Sequence, residues 1–238
     1  MALGFGVFTL AVSVLFLRTR TMLVESRQLG KNIDNVLVPS IGALEDLDRS
    51  ISESRIRIKH WLTVQSRTDD PEKSGLIELI EYTIPTQYST LKNMESAWDN
   101  NATIQLDSLQ RDLDYLFIAY NEIIRLLPDF SSYDNPIAIM DAEYYALEGS
   151  SLPLFTQRIR KRLDNLTESQ NSSLLASTGR MEQLGDDLNT YAGSVALLVL
   201  ILGIIVGLAV TRSILVPVRQ LKRAVLYMGQ GKEPDGPV

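Results

Sequence analysis

Residues 192–211 read AGSVALLVLILGIIVGLAVT, twenty positions without one charged side chain. At about 1.5 Å per residue, a helix of that length covers the ~30 Å hydrocarbon core of a bilayer. Backbone N–H and C=O groups in lipid must be satisfied within the segment itself, so the run predicts a transmembrane helix. A second apolar run, ALGFGVFTLAVSVLFL at 2–17, has sixteen residues, short for a span and also compatible with a signal peptide. It carries no Lys or Arg before it and no small-residue cleavage site after it, which favours a first transmembrane helix whose cytoplasmic start is missing.

Basic residues near the ends of spans stay on the cytoplasmic side. Arg212, Arg219, Lys222 and Arg223 follow the second run, whereas the residues just before it hold Arg180 among Glu182, Asp186 and Asp187. The C-terminus is therefore expected inside. Arg18 and Arg20 then fall on the outer side, which a missing basic N-terminal flank would explain. The expected organisation is a first transmembrane helix at 1–17, an extracytoplasmic domain at 18–191, a second transmembrane helix at 192–211 and a cytosolic segment at 212–238.

The domain between the runs shows helical periodicity and almost no strand alternation. Leu29, Ile33, Val36, Leu37, Leu44, Leu47, Ile51, Ile58 and Trp61 recur at three- and four-residue steps and form one apolar stripe. Asp69-Asp70-Pro71 predicts a stop and a new start, because Asp caps a helix and Pro suits its first turn. A second helix is expected to about Trp98, carrying Leu76, Leu79, Ile80, Leu91 and Met94, with a kink at Pro85. Past Asp99-Asn100-Asn101 a third carries Leu106, Leu109, Leu113, Leu116, Ile123 and Leu127 up to Pro128. Residues 129–152 form the longest connection, with a short helix expected near Ala142 to Leu147. A fourth helix, from about Pro153, carries Ile159, Leu163, Leu166, Leu174 and Leu184 into the second run. Such lengths and turns predict an all-α, up-down-up-down four-helix bundle flanked by two transmembrane helices.

Composition removes most enzyme chemistry. The chain has no cysteine and a single histidine, His60, so thiol nucleophiles, Cys-based zinc sites and His pairs are excluded. His60 has no acidic or His partner at the next helical turn, and Trp61 and Trp98 read as packing residues. The net charge of −6, with no extended basic run, argues against nucleic-acid binding. No catalytic residue set, cofactor motif or metal-ligand spacing is visible, so any enzymatic output is expected downstream of Val238.

Beyond the second run, Ile214, Val218, Leu221, Val225 and Met228 alternate steps of four and three, the spacing of a coiled-coil seam shared by two chains. Together with Pro217 and the closing Gly229-Gln230-Gly231, this segment resembles the first half of a HAMP linker, the parallel four-helix dimeric module that follows the last span of bacterial receptors. The outer domain resembles, in its layout, its length and its Asn35-Val36-Leu37-Val38-Pro39 stretch, the four-helix ligand-binding domains of chemoreceptors and sensor kinases. The resemblance implies a homodimer in the bacterial cytoplasmic membrane that passes signals through the second span to Pro217 and the seam, and on to a downstream cytoplasmic signalling domain. The sensory input module of a histidine kinase of a two-component system is the first expectation. A methyl-accepting chemotaxis receptor, a HAMP-linked phosphatase or nucleotide cyclase, and a non-sensing membrane adaptor are the alternatives.

Two basic clusters lie at similar height, within about 20 Å of the membrane-distal end when counted along the helices. They are Arg55, Arg57 and Lys59 on the first helix, and Arg158, Arg160, Lys161 and Arg162 on the fourth. In the resembling chemoreceptors, Arg residues between two protomers hold a ligand carboxylate. Arg55, Arg57, Arg158 and Arg162 are accordingly expected to bind a small anion, with Thr156 and Gln157 as further donors. Gly203 and Gly207 form a small-xxx-small pair that would let membrane helices approach closely.

Overall fold

A computed structural model of the chain describes residues 2–67, 69–147, 149–215 and 218. Among these no strand forms, and the regular elements are helices: α1 (Ala2–Asn32), α2 (Val38–Thr63), α3 (Pro71–Glu78), α4 (Ile84–Met94), α5 (Asn100–Leu126), α6 (Pro136–Tyr144) and α7 (Ser151–Val210). The chain divides into two compact units, one of Arg27–Met181 and one of Met1–Ser26 with Glu182–Val238.

In the first unit, the helix starts follow from capping chemistry. The side chains of Asp70, Asp99 and Asn135 accept hydrogen bonds from the N–H groups of Glu72, Ala102 and Ile137, satisfying donors that the first turn leaves free. Pro71 and Pro136 occupy first-turn positions, where their missing N–H costs nothing. The expected short helix in the long connection sits earlier, as α6, because Asn135-Pro136 supplies the start signal. A 3-10 turn at Phe130–Asp134 precedes it.

Core positions keep the expected period. On α5, Ala102, Leu106, Leu109, Leu113, Leu116, Tyr120 and Ile123 are all buried, alternating steps of four and three, and Leu127 just past its end continues the series. On α7, Leu152, Thr156, Ile159, Leu163, Leu166 and Gln170 repeat that alternation. Leu44, Leu47, Ile51, Ile58 and Trp61 of α2 join the same core, as do Leu76, Leu79, Ile80, Ile84 and Leu91. Leu29, Ile33, Val36, Met94, Trp98 and Leu174, expected on the inner face, are only half-buried.

Among the described residues, π-helical turns join α1 to α2 at Ile33–Leu37 and α3 to α4 at Leu79–Thr83, and a third follows α7 at Thr211–Leu215. Each ends two residues before a proline, Pro39, Pro85 or Pro217. A proline inside a helix lacks the N–H donor and collides with the carbonyl four residues back. A π turn widens the helix locally and lets the chain continue. The N–H of Val38 reaches Ile33 O, and that of Ile84 reaches Leu79 O, both five residues back. The expected kink at Pro85 is thus a π turn.

In the second unit, Met22 and Leu184 are buried, and the Arg18 guanidinium lies 5.6 Å from the centroid of the Tyr191 ring. Two spans were expected. Among the described residues one helix, Ser151–Ser213, is long and apolar enough to cross a membrane, and protein buries none of its apolar window. The first run lies in α1, where Val14, Phe16 and Leu17 are exposed, and the side chains before Val12 lie outside the described residues. Of the residues expected to form a cytosolic seam, Val218 is exposed, while Pro217, Leu221, Val225, Met228 and the Ile214 side chain also lie outside the described residues. Gly203 and Gly207 are on the exposed surface of α7, with open space where a Cβ would stand.

Candidate functional site

A cavity of about 650 Å³ opens in the first unit, walled by α2, Tyr120 of α5, the α6–α7 connection and the first turns of α7. Its lining changes character with depth. Ile58, Leu62, Tyr120, Leu152 and Thr156 are buried, whereas Arg55, Lys59, Gln157 and Arg160 are exposed. Leu147, on the connection, is also part of the wall and keeps 57% of its surface exposed. Among the described residues, Glu143 is the single carboxylate in the lining.

The deep wall is poor in free donors. Ser54 Oγ donates to Ile51 O at 2.8 Å, so the Tyr120 hydroxyl, 3.1 Å away, must donate to Ser54. Burial pushes the Tyr120 phenol up to about 12, with Ser54 and Arg55 pulling the other way. Thr156 Oγ1 donates to Leu152 O at 2.6 Å. Thr156, expected as a donor to ligand, therefore has only acceptor capacity left. Donors toward the cavity come from the rim: Arg55, Lys59, Arg160 and the Gln157 amide.

The connection that carries Leu147 is tightly tied. Ser150 Oγ reaches Tyr145 O and Leu147 O, and Leu152 N donates to Tyr145 O at 3.1 Å. Gly149 sits in this turn at φ +84°, a conformation that a Cβ disfavours.

Of the six residues expected to bind an anion, Arg55, Thr156 and Gln157 line this cavity. The others are drawn elsewhere by carboxylates or rings. Arg57 donates from Nε and Nη2 to Glu53 Oε1, at 3.0 and 2.7 Å, and its Nη1 lies 3.1 Å from Glu72 Oε2. It ties α2 to the start of α3. Arg162 Nε donates to the buried carboxylate of Asp112 at 2.5 Å, bridging α7 and α5. Arg158 lies 5.7 Å from the centroid of the Phe155 ring, which itself stacks on Tyr115. The cations that do line the cavity beside Arg55 are Lys59 and Arg160, members of the same two clusters. Among the described residues, none of these three has a carboxylate oxygen within 4.0 Å.

A second polar assembly closes the turn between α2 and α3. Lys73 is fully buried, its Nζ donating to Ser66 O at 3.0 Å and lying 4.8 and 4.9 Å from the ring centroids of Trp61 and Tyr133. Burial lowers its pKa, while Asp70 and Asp129 oppose that shift. Trp61 Nε1 donates to Leu127 O at 2.9 Å, and the Tyr133 hydroxyl donates to Trp61 O. His60 is not without an acidic neighbour: the chain reversal brings Asp70 Oδ2 to 3.6 Å from its Nε2. No sequence spacing reveals this cluster, since its members come from separate segments.

A smaller groove carries the opposite charge. Glu45 and Asp48 of α2 face Asp164 and Glu168 of α7 along it, so it repels anions. Comparison of the chain with protein-family models, with curated proteins and with solved structures finds no match.

Proposed function

We propose that this chain is the sensory input module of a bacterial histidine kinase of a two-component system, working as a homodimer in the cytoplasmic membrane. In this reading 1–17 and 192–211 span the membrane, 18–191 is an extracytoplasmic four-helix bundle of up-down-up-down order, and 212–238 begins a HAMP linker. One observation carries the proposal: the same helix, α7, contributes Thr156, Gln157 and Arg160 to the cavity and also contains the apolar stretch that can cross a bilayer. A stimulus that binds two packings of the outer domain with different affinity shifts their populations, and the shift reaches the cytosolic seam through the second span.

The chain lacks cysteine, so single introduced thiols report cleanly. In native membranes, Leu221→Cys on the seam should form disulfide-linked dimers at least tenfold faster than Arg223→Cys off it. Ser172→Cys should react with an impermeant maleimide in spheroplasts, and Ser213→Cys only after lysis. Equal cross-linking at 221 and 223 would overturn the parallel dimer, and reversed labelling would overturn the orientation. Pro217→Ala and Leu221→Asp should abolish signalling in a transducer and leave a passive adaptor working.

A further inference from the structure

The division of the cavity into an apolar interior and a cationic rim says more about its ligand than charge alone. We infer that the cavity takes an amphipathic organic anion, its single charged group held at the rim by Arg55, Lys59 and Arg160 and its apolar body inserted toward Ile58, Leu62 and Leu152. This rests on reading the cavity as the input site, and it places the ligand within the outer domain of one protomer rather than between two.

Among the described residues of the lining, the three rim cations face one carboxylate, Glu143, an excess of positive charge for an anion to neutralise. A small polar dianion would satisfy the rim but leave the apolar wall against water. An amphipathic acid matches both. Tyr120 and Thr156 have committed their hydroxyl protons to Ser54 and Leu152, so the interior offers no donor to a buried anionic group. A carboxylate driven inward would stay unpaired in an apolar setting, and that fixes the orientation as charge outward. Leu147, exposed on the wall of a connection pinned by Ser150, is the apolar surface such a body would cover. The volume of about 650 Å³ lies within the range of sites for drug-sized ligands. An aromatic acid and a medium-chain fatty acid share this chemistry.

The test is calorimetric titration of the full chain in lipid nanodiscs with 2-naphthoate, decanoate and succinate, subtracting the heat of empty nanodiscs. Binding of either amphipathic acid at least tenfold tighter than succinate is expected, and which of the two binds distinguishes a soluble aromatic source from an acyl-chain source. Arg55→Gln combined with Arg160→Gln should weaken that binding at least tenfold. Leu147→Asp, at an exposed position that leaves the core intact, should do the same. Succinate binding as tightly as the two acids, no binding of either acid at 5 mM, or unchanged affinity in both variants would overturn the inference. Binding that leaves cross-linking at Leu221→Cys unaltered would instead count against the transduction reading and leave the site standing.

Discussion

Gly75 lies against the guanidinium of Arg57 so closely that a Cβ there would stand 2.2 Å from Nη1. In Gly75→Ala the guanidinium must swing away from Glu53 and Glu72. Alanine in a helix is favoured over glycine by about 1 kcal/mol, and half-exposed ion pairs contribute about 0.2–1 kcal/mol. The two effects nearly cancel in the parent chain. With Arg57→Met already in place, Gly75→Ala should stabilise by about 1 kcal/mol, which leaves a coupling of about 0.5–1 kcal/mol between the two positions. Urea unfolding of the four chains measures it; zero coupling would mean that Arg57 does not lie over Gly75. Asp70 permits a pH test. The Glu72 N–H, with Ser66 and His60 adding, holds its carboxyl below the ordinary value of 3.8. The contribution is therefore present above that value and lost as pH falls through the lower folded one. Asn also caps helices, so Asp70→Asn should unfold at lower urea than the parent at pH 5, with the gap narrowing at pH 2.5. A gap independent of pH would remove the carboxylate from the account. Some of this was legible in the chain: Glu53 and Arg57 stand at the i, i+4 spacing of a helical ion pair. The Asp112–Arg162 pair was not, because nothing local links positions fifty residues apart.

The spacing of buried residues explains why α3 and α4 meet at a π turn. Leu76, Ile80, Ile84 and Tyr88 are buried at three successive steps of four. In a regular helix each such step rotates the stripe by about 40°, which would carry Tyr88 off the core face. The turn at Leu79–Thr83 absorbs that rotation and also accommodates Pro85. Removing one residue should consequently be tolerated here and nowhere on α5. Deleting the exposed Tyr82 converts these three steps to four, three, four, and the buried Leu91 then follows at a step of three, the pattern of α5. Pro85 would then sit inside a regular helix at a cost of about 3 kcal/mol, so the deletion alone should be destabilised by about that much. Deletion together with Pro85→Ala should restore stability to within about 1 kcal/mol of the parent. Deleting Asp114 from α5 should abolish cooperative unfolding, because it turns the downstream seam by about 100°. Thermal melts followed by circular dichroism distinguish these outcomes, and equal loss in all three chains would defeat the register argument. Sequence periodicity showed the stripes, and Asp69-Asp70-Pro71 the cap before α3; Asp99-Asn100-Asn101 read only as a turn, and its cap on Ala102 N–H emerges from the structure. It did not show the π turns, because a step of four is read as helix with or without one. Nor did it place Lys59, Arg160 and Leu147 together, since that depends on how the α6–α7 connection folds back.

On the scale of the whole chain, exposed apolar surface occurs in two kinds of setting. Tyr115 and Ile118 on α5, and Ile137 and Met140 on α6, are exposed singly or in short stripes on helices whose other faces are buried. Within α7, by contrast, Leu197, Leu200, Ile204, Ile205, Val206 and Leu208 are all exposed, and protein covers none of the apolar window. Scattered apolar residues on a folded surface are ordinary, whereas a helix apolar on every side needs a non-aqueous surround. Lipid excludes the water that amide exchange requires. Hydrogen–deuterium exchange on the full chain in nanodiscs should thus show amides at 195–208 exchanging at least tenfold more slowly than those at 171–180, although both stretches belong to one helix. In the same experiment, exchange across α5 should follow burial in the core, with the Tyr115 side of the helix gaining nothing from lipid. Equal rates at 195–208 and 171–180 would mean that the apolar stretch is not in the bilayer. The run at 192–211 was legible from its length and lack of charge alone. The shorter run at 2–17 was less decisive, and the same exchange experiment settles it: slow amides from Val12 to Leu17 place it in lipid, and fast ones leave α7 as the one candidate span among the described residues.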